Sequence, residues 1–416
     1  MTALLLVAWM SSLNSGLMTD PATASGWTAV AQNPARLGYS GQPRWSMAYA
    51  RPSASWASNA LDIGEFVRCF MTGADLSEQD KAGIIDGIGS EPARVAVSAS
   101  LDAAHIQFGN YGLGASAEYA LSFSLPGDIV ELALNGNELD RTYRLDGLGA
   151  DTLLFSRVFA ATGWDVWNGL CVGGGLSWLH GFSRFHTLTE SGELTTTQGA
   201  LWGYASQVTT LARGGDGLSL TIGFSGQLAG DIELGLCARD ALAGIWWYKE
   251  TATNELSMRL DSVNLRSLQE KQDLGSFLKL DESHQSPARF WSGLPGVLAL
   301  AANWRRFERV GFGLLVNAGL GPDMFLDRPP LLGARVDYDP TDEAGLSFVA
   351  GLAGDAEWLL DCMFSGLFGT RFFGVGISVR SASMLPASLA INLGFGTFVP
   401  SDSRMPGSPQ LRFPGL

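Results

Sequence analysis

The sequence predicts an all-β fold, a closed antiparallel transmembrane β-barrel of roughly 14 strands with a few short helices in its N-terminal third. Three observations predict this class. Charged residues make up 16% of the 416 residues, against about 25% in ordinary soluble proteins. From about Thr152 onward, apolar residues alternate with small or polar residues over many short segments. No apolar run approaches the ~20 residues that a membrane-spanning helix requires.

The kind of alternation separates a barrel in lipid from a soluble sheet. One face of each predicted strand carries large apolar side chains, which we assign to lipid: Leu218, Leu220, Ile222, Phe224, Phe373, Val375, Ile377, Leu389, Ile391 and Leu393. The opposite face consists mostly of Gly, Ser, Ala, Thr and Asn, so neither face is built to meet bulk water along its length. Small and polar residues would face a lumen, and the sheet must close because backbone polar groups cannot stay open in hydrocarbon.

A few charged residues interrupt the face of small residues: Glu233, Arg239, Arg305, Arg335, Asp337 and Arg380. An arginine that faced lipid near the membrane midplane would cost about 2–4 kcal/mol, so we place these side chains in the lumen. Two interpretations remain open. The charges pair across the interior and fill it, or they line a path for a substrate. We favour the first interpretation.

The N-terminal third contains the predicted helices. Ser77 with Asp80 resembles a capping box and predicts a helix near residues 77–88. A second short helix is predicted near 128–134, between Pro-Gly and Asn-Gly pairs. A first strand candidate covers residues 44–51.

The remaining segments complete the predicted organisation. Residues 1–18 resemble a secretory signal that lacks a basic start and a clear cleavage site; the alternative is a first buried strand. Residues 19–398 are predicted to form the single barrel, and residues 399–416 a proline-containing tail that is not a strand. Thr251 to Ser292 is polar and aperiodic, which predicts a large extracellular loop.

Composition and motifs argue against several functions. The net charge of −14 disfavours nucleic acid, whose phosphates attract basic surfaces. The four cysteines are far apart and form no CxxC pair. His180 and His186 would lie about 20 Å apart along one strand, too far to share a metal. No Gly-x-Ser-x-Gly or HExxH motif is present. We therefore expect no cofactor, no metal site and no enzymatic activity.

Several segments resemble a family of uncharacterised bacterial outer-membrane proteins related in pattern to FadL-type and PorV-type barrels. The segments that carry the resemblance are Thr28-Ala-Val-Ala-Gln-Asn-Pro-Ala35, Leu76-Ser-Glu-Gln-Asp-Lys81, Phe108-Gly-Asn-Tyr-Gly-Leu113, Leu132-Ala-Leu-Asn-Gly-Asn137 and Gly175-Leu-Ser-Trp-Leu-His-Gly181. They cover most of the first half of the chain in matching order. Ser177 departs from the pattern, because it stands where the resemblance leads us to expect a lysine.

The resemblance implies a location in the outer membrane of a Gram-negative-type bacterium, with outer-membrane lipid around the barrel. FadL-type barrels move hydrophobic molecules inward through a lateral opening while an N-terminal segment plugs the lumen. The resemblance thus implies that residues 19–61 occupy the interior here, with the two predicted helices as further candidates. A hydrophobic small molecule is the implied partner. The alternative is a structural barrel that anchors partner proteins, as PorV-type barrels do, without transport; the sequence does not identify such partner proteins.

Overall fold

A computed structural model describes residues 20–40, 42–58, 76–88, 92–228, 231–263, 278–285, 289–307, 309–320, 330–341, 344–353, 358–368, 371–381 and 388–399. Most of these residues lie in one antiparallel sheet. Three α-helices accompany it, α1 (Trp27–Gln32), α2 (Glu78–Ile88) and α3 (Gly127–Asn135), together with a 3-10 helix at Pro34–Gly38. None of the helices in these ranges is long and apolar enough to cross a membrane.

The described residues form 19 strands, numbered in chain order. Their bounds are β1 (Trp45–Ser58), β2 (Ala93–Phe108), β3 (Tyr111–Leu125), β4 (Arg141–Arg144), β5 (Gly149–Trp167), β6 (Leu170–Thr196), β7 (Leu201–Ala212), β8 (Gly215–Leu228), β9 (Ile232–Trp247), β10 (Ala252–Val263), β11 (Leu278–Gln285), β12 (Phe290–Gly293), β13 (Gly296–Phe307), β14 (Val310–Leu320), β15 (Leu331–Thr341), β16 (Ala344–Ala353), β17 (Trp358–Phe368), β18 (Arg371–Ser381) and β19 (Ser388–Val399).

The strand pairings follow one main succession. It runs from β1 through β2, β3, β5, β6, β8 and β9, and then from β13 to β19. Strand β1 also pairs with β19, so that Ala54 lies between Ala99 and Ile391. Five more strands pair beside this succession: β4 and β7 on β6, β10 on β7, β11 on β10, and β12 on β9. These five explain why the described chain has 19 strands where the sequence predicts roughly 14.

The two faces of the sheet differ as strand alternation requires. In β8, Leu218 and Phe224 are 57% and 46% exposed, whereas Ser219 and Ser225 are almost fully buried. The strand register aligns the exposed apolar side chains of successive strands into rows, one of which runs through Phe224, Leu236, Leu300, Val316, Leu332 and Leu352. We call the face of these rows the outer face and the opposite one the inner face. Large apolar side chains thus point away from the interior, as lipid contact would require.

The predicted loop at Thr251–Ser292 is wrong over its described residues. Strands β10, β11 and β12 lie within it. The sequence gives no alternating pattern for β10 and β11. These strands lie beside the main succession, where polar side chains are tolerated on both faces. In β11, all side chains from Leu278 to His284 are exposed. A search for one apolar face therefore finds no strand pattern there.

The two predicted helices are present, but they do not enter the interior. The capping box is confirmed, since the Ser77 and Asp80 backbone amides each donate to the other residue's side chain, at 3.0 and 3.2 Å. Ile84 and Ile88 of α2 are buried against α3, beside the ends of β2 and β3. Helix α3 has no buried side chain. Of residues 19–61, the stretch Trp45–Ser58 is strand β1 of the sheet itself.

The structure adds two short helices that the sequence analysis missed, α1 and the 3-10 helix. The 3-10 helix begins at Pro34, and the Asn33 side chain accepts a hydrogen bond from the Ala35 amide at 3.1 Å. Each helix is too short to show an amphipathic period. The predicted leader at residues 1–18 and residues 400–416 of the predicted tail lie outside the described residues, and Val399 ends β19.

Candidate functional site

Residues 20–38, which we call the inner segment, lie against the inner face of the sheet. Helix α1 packs on β2 and β3, and the 3-10 helix packs on β5, β6 and β8. Nearly every residue of the segment is buried, including Trp27, Val30 and Leu37. The segment also contacts β9, β13 and β15 through its polar side chains. It therefore lies between strands from distant parts of the sheet.

Glycines on the inner face make room for this segment. A Cβ atom on Gly173 would collide with the backbone of Pro34 and Ala35, and one on Gly235 would collide with the backbone of Pro21 and Ala22. Gly163 has the same relation to the backbone of the segment, whereas a Cβ atom on Gly112 or Gly223 would collide with the side chains of Val30 and Asn33. Only a residue without a Cβ allows two backbones to approach so closely. The glycine run at 173–175 lies within strand β6, and its first residue, Gly173, provides a packing site for the inner segment.

Asp20 attaches one end of the inner segment to the sheet. Its Oδ2 atom accepts hydrogen bonds from Asn303 Nδ2 at 2.5 Å, Arg335 Nη1 at 3.0 Å and Thr23 Oγ1 at 2.7 Å. Arg335 in turn donates from Nε to Asp337 Oδ1 at 2.7 Å. All five residues are buried. Buried charges persist only when they are paired and hydrogen-bonded, and this network satisfies that condition for one arginine between two carboxylates.

The other end of the inner segment has a second set of polar contacts. The guanidinium of Arg36 lies 3.5 Å from the Glu233 carboxylate, and its Nε atom donates to the Ala24 carbonyl at 3.1 Å. Asn33 Nδ2 donates to the Phe224 carbonyl at 3.1 Å, and Tyr39 donates its hydroxyl to Gln227 at 3.0 Å. Both ends of the segment are thus attached to strands that lie far away along the chain, at a separation of 188 residues or more.

Only some of the charged residues that the sequence places in the lumen belong to these two networks. Glu233 pairs with Arg36, and Arg335 with Asp20 and Asp337. Arg239 lines a cavity described below. The backbones of Arg305 and Arg380 lie in β13 and β18, and their side chains lie outside the described part. The inner segment, which the sequence did not identify as a partner, provides the opposite charge for both Glu233 and Arg335.

The residues assigned to lipid lie on the outer face wherever their side chains are described. Five are exposed, namely Leu218, Ile222, Phe224, Val375 and Ile377. Four are partly exposed, namely Leu220, Phe373, Ile391 and Leu393. The side chain of Leu389 is outside the described part, although its backbone lies in β19. Their contact with lipid stays a prediction.

A cavity of about 190 Å³ lies beside residues 30–32 of the inner segment, with walls from β1, β2, β3, β5, β6, β8, β9 and β13. Its walls hold a charge cluster that the sequence analysis missed. Arg157 Nη1 lies 2.6 Å from Asp240 Oδ1, and its Nε atom lies 3.3 Å from Glu118 Oε1. Arg51 Nε lies 3.3 Å from Asp102 Oδ2. Strict alternation along β9 puts Arg239 on the inner face and would put Asp240 on the outer one. Asp240 lines the same cavity because the register of β9 shifts there and its φ is +51°.

Comparisons with known proteins relate this architecture to a class of channels. Residues 50–235 match the family described as "Family of unknown function (DUF5723)". The structure of the TodX deltaS2S3 mutant monoaromatic hydrocarbon channel superposes with a TM-score of 0.53 at 12% identity, covering 91% of this chain and 97% of that one. No curated protein matches the sequence.

Two further structures are similar over comparable lengths. The Ralstonia pickettii toluene transporter TbuX matches with a TM-score of 0.48 at 12% identity, over 92% of this chain and 96% of that one. A Pseudomonas aeruginosa FadL homologue matches with a TM-score of 0.46 at 10% identity, over 94% of this chain and 97% of that one. The TodX likeness shows that the chain has the fold of the FadL-type barrels, which confirms the resemblance found in the sequence. This fold agrees with the expected outer-membrane location.

Proposed function

We propose that the protein is a closed outer-membrane barrel that passes a hydrophobic small molecule across the membrane. The observation that carries this proposal is the fold shared with the TodX channel. The rows of exposed apolar residues on the outer face support a surface in lipid. The pairing of β1 with both β2 and β19 supports closure, with 14 strands in the main succession.

In this proposal the inner segment is the plug. It fills the interior over residues 20–38, whereas Trp45–Ser58 belongs to the wall. Passage then requires the plug to shift or a molecule to pass beside it. The cavity next to Val30, Ala31 and Gln32 is the place where a molecule would first meet the segment. The docking alternative is not favoured, because TodX, a solved protein with this fold, is described as a channel.

A substitution that adds one aromatic ring to the cavity wall tests whether uptake passes through the cavity. Ser177 lines the cavity and is 5% exposed, so Ser177→Phe would fill part of the space. Leu176→Phe adds a ring at the neighbouring position on the outer face, where Leu176 is 56% exposed. Cells that carry each variant in the outer membrane would be compared for initial uptake of a radiolabelled monoaromatic hydrocarbon.

We expect Ser177→Phe to lower uptake to the level of cells without the protein, and Leu176→Phe to leave it unchanged. Equal uptake by cells with and without the wild-type protein would contradict passage. Heat-modifiable migration on a detergent gel would establish that each variant is a folded barrel, since a closed sheet resists unfolding until boiled.

A further inference from the structure

The cavity beside the inner segment is more polar than a hydrocarbon site requires. Its lining includes three arginines, Arg51, Arg157 and Arg239, and three carboxylates, Asp102, Glu118 and Asp240. The formal charges of these six groups cancel. A balanced wall of this kind does not select an anion by net charge, as an excess of arginines would. The electrostatics of the cavity therefore fit a neutral ligand.

Some side chains on the cavity wall have buried polar atoms without a hydrogen-bond partner, and three of these side chains matter here. The atoms are Nη1 of Arg51, both ring nitrogens of His105 and Oε1 of Gln32. These residues are 8%, 1% and 5% exposed, so water outside the protein does not reach them freely. The nearest carboxylate oxygen to His105 Nε2, from Asp102, is 3.7 Å away, beyond hydrogen-bond distance.

Unpartnered polar atoms inside a protein are rare, and each calls for an explanation. Arg51 Nη1 is a donor, Gln32 Oε1 is an acceptor, and a neutral His105 ring offers one of each. A hydroxyl group is both donor and acceptor, so one hydroxyl on a ligand can pair with a donor and an acceptor of this kind. A bare hydrocarbon would satisfy none of them and would displace any water that does.

The rest of the wall suits a small ring. Phe155, Phe159, Leu153 and Val30 contribute apolar surface to the same cavity. The His105 ring makes an edge contact with Phe159, with 5.0 Å between ring centroids. A cavity of about 150 Å³ can hold benzene. The volume here, about 190 Å³, leaves space for one ring with a small substituent.

We propose that this cavity binds a neutral molecule of about one aromatic ring that bears a hydroxyl group, in preference to the bare hydrocarbon. Gln32, Arg51 and His105 recognise the hydroxyl, and the apolar wall holds the ring. The inference rests on the proposed passage of small hydrophobic molecules and specifies which of them the protein selects.

The test uses fluorine NMR on the full chain in detergent micelles. The probes are 4-fluorophenol, which is neutral at pH 7, 4-fluorotoluene and 4-fluorobenzoate. The protein variant is the double change Gln32→Leu with His105→Phe, which keeps the size of both side chains and removes the unpartnered atoms of Gln32 and His105. Arg51 is left in place because its Nε atom pairs with Asp102. His105→Phe alone serves as a second variant. Asn317→Leu is the matched control, because Asn317 is also buried with unpartnered side-chain atoms but does not line the cavity.

We expect the wild type and Asn317→Leu to bind 4-fluorophenol at least about tenfold more tightly than 4-fluorotoluene or 4-fluorobenzoate. The double variant should lose this preference and bind 4-fluorotoluene at least as well as the wild type does. Equal affinity of the wild type for the phenol and the toluene, or equal weakening of both by the double variant, overturns the inference and leaves the proposed function standing. Binding of none of the probes would count against both.

Discussion

The attachment of the inner segment through Asp20 leads to a prediction about Asp20→Asn. The substitution keeps the shape of the side chain and replaces the negatively charged carboxylate with a neutral amide. The Oδ2 atom of that carboxylate accepts hydrogen bonds from Asn303 and Arg335. The strands of the sheet lose no contact with one another. We therefore expect the inner segment to open more often while the sheet stays as stable as before.

The size of the effect follows from the partners that remain. Removing one member of a buried ion pair costs about 3–5 kcal/mol when the other charge is left alone. Arg335 is not left alone, because Asp337 still accepts its Nε–H at 2.7 Å. The expected cost is thus at the lower end, about 3 kcal/mol. In the equilibrium for local opening this is roughly a 100-fold change.

Hydrogen exchange followed by mass spectrometry measures this opening directly. Peptides that cover residues 20–38 should exchange roughly 100-fold faster in Asp20→Asn, whereas peptides from β13 to β16 should keep their wild-type rates. The control is Glu250→Gln, which removes a carboxylate from a surface pair with Arg213 whose side chains are 70% and 79% exposed. Such pairs contribute about 0–1 kcal/mol, so the control should change exchange less than about fivefold. Equal loss of protection in the segment and the strands would refute the reasoning, as would a change in the segment no larger than in the control.

Two further substitutions test the inner and outer faces with matched controls. Gly173→Val should also speed exchange in the inner segment, because its side chain would occupy the backbone position of the 3-10 helix; Gly174→Val, whose Cβ has only one atom near 4 Å, should not. Equal exchange in the two variants would contradict this packing. Leu300→Arg, in the middle of the apolar rows, should lower the free energy of unfolding in liposomes by about 2–4 kcal/mol. Leu280→Arg, on the exposed strand β11, should change it by less than about 0.5 kcal/mol, and similar losses for both would argue against lipid around the outer face.

The parts of the fold that were predictable from sequence are those set by neighbours along the chain. Alternation in β8 placed Leu218 and Ser219 on opposite faces, because consecutive side chains on a strand must point to opposite sides. The Ser77 and Asp80 pair marked the start of α2, because capping is a contact over three residues. Strands β10 and β11 were missed because their polar faces carry no signal of burial.

The candidate site depends on strand order, which local patterns do not contain. Arg51, Asp102 and Arg157 are separated by about 50 residues each, and every one of them is an ordinary polar position on its own strand. They share a cavity because β1, β2, β3 and β5 are consecutive in the sheet. The link between Asp20 and Arg335 spans 315 residues and was invisible for the same reason.

By itself the sequence determined which face of the alternating strands, such as β8, is apolar and where the two longer helices begin. These properties follow from backbone geometry over a few residues. Only the tertiary structure decided which charges meet, that glycines at 173 and 235 admit the inner segment, and that a polar cavity lies beside it. These properties depend on which distant strands become neighbours, and many pairings would be compatible with the same alternation.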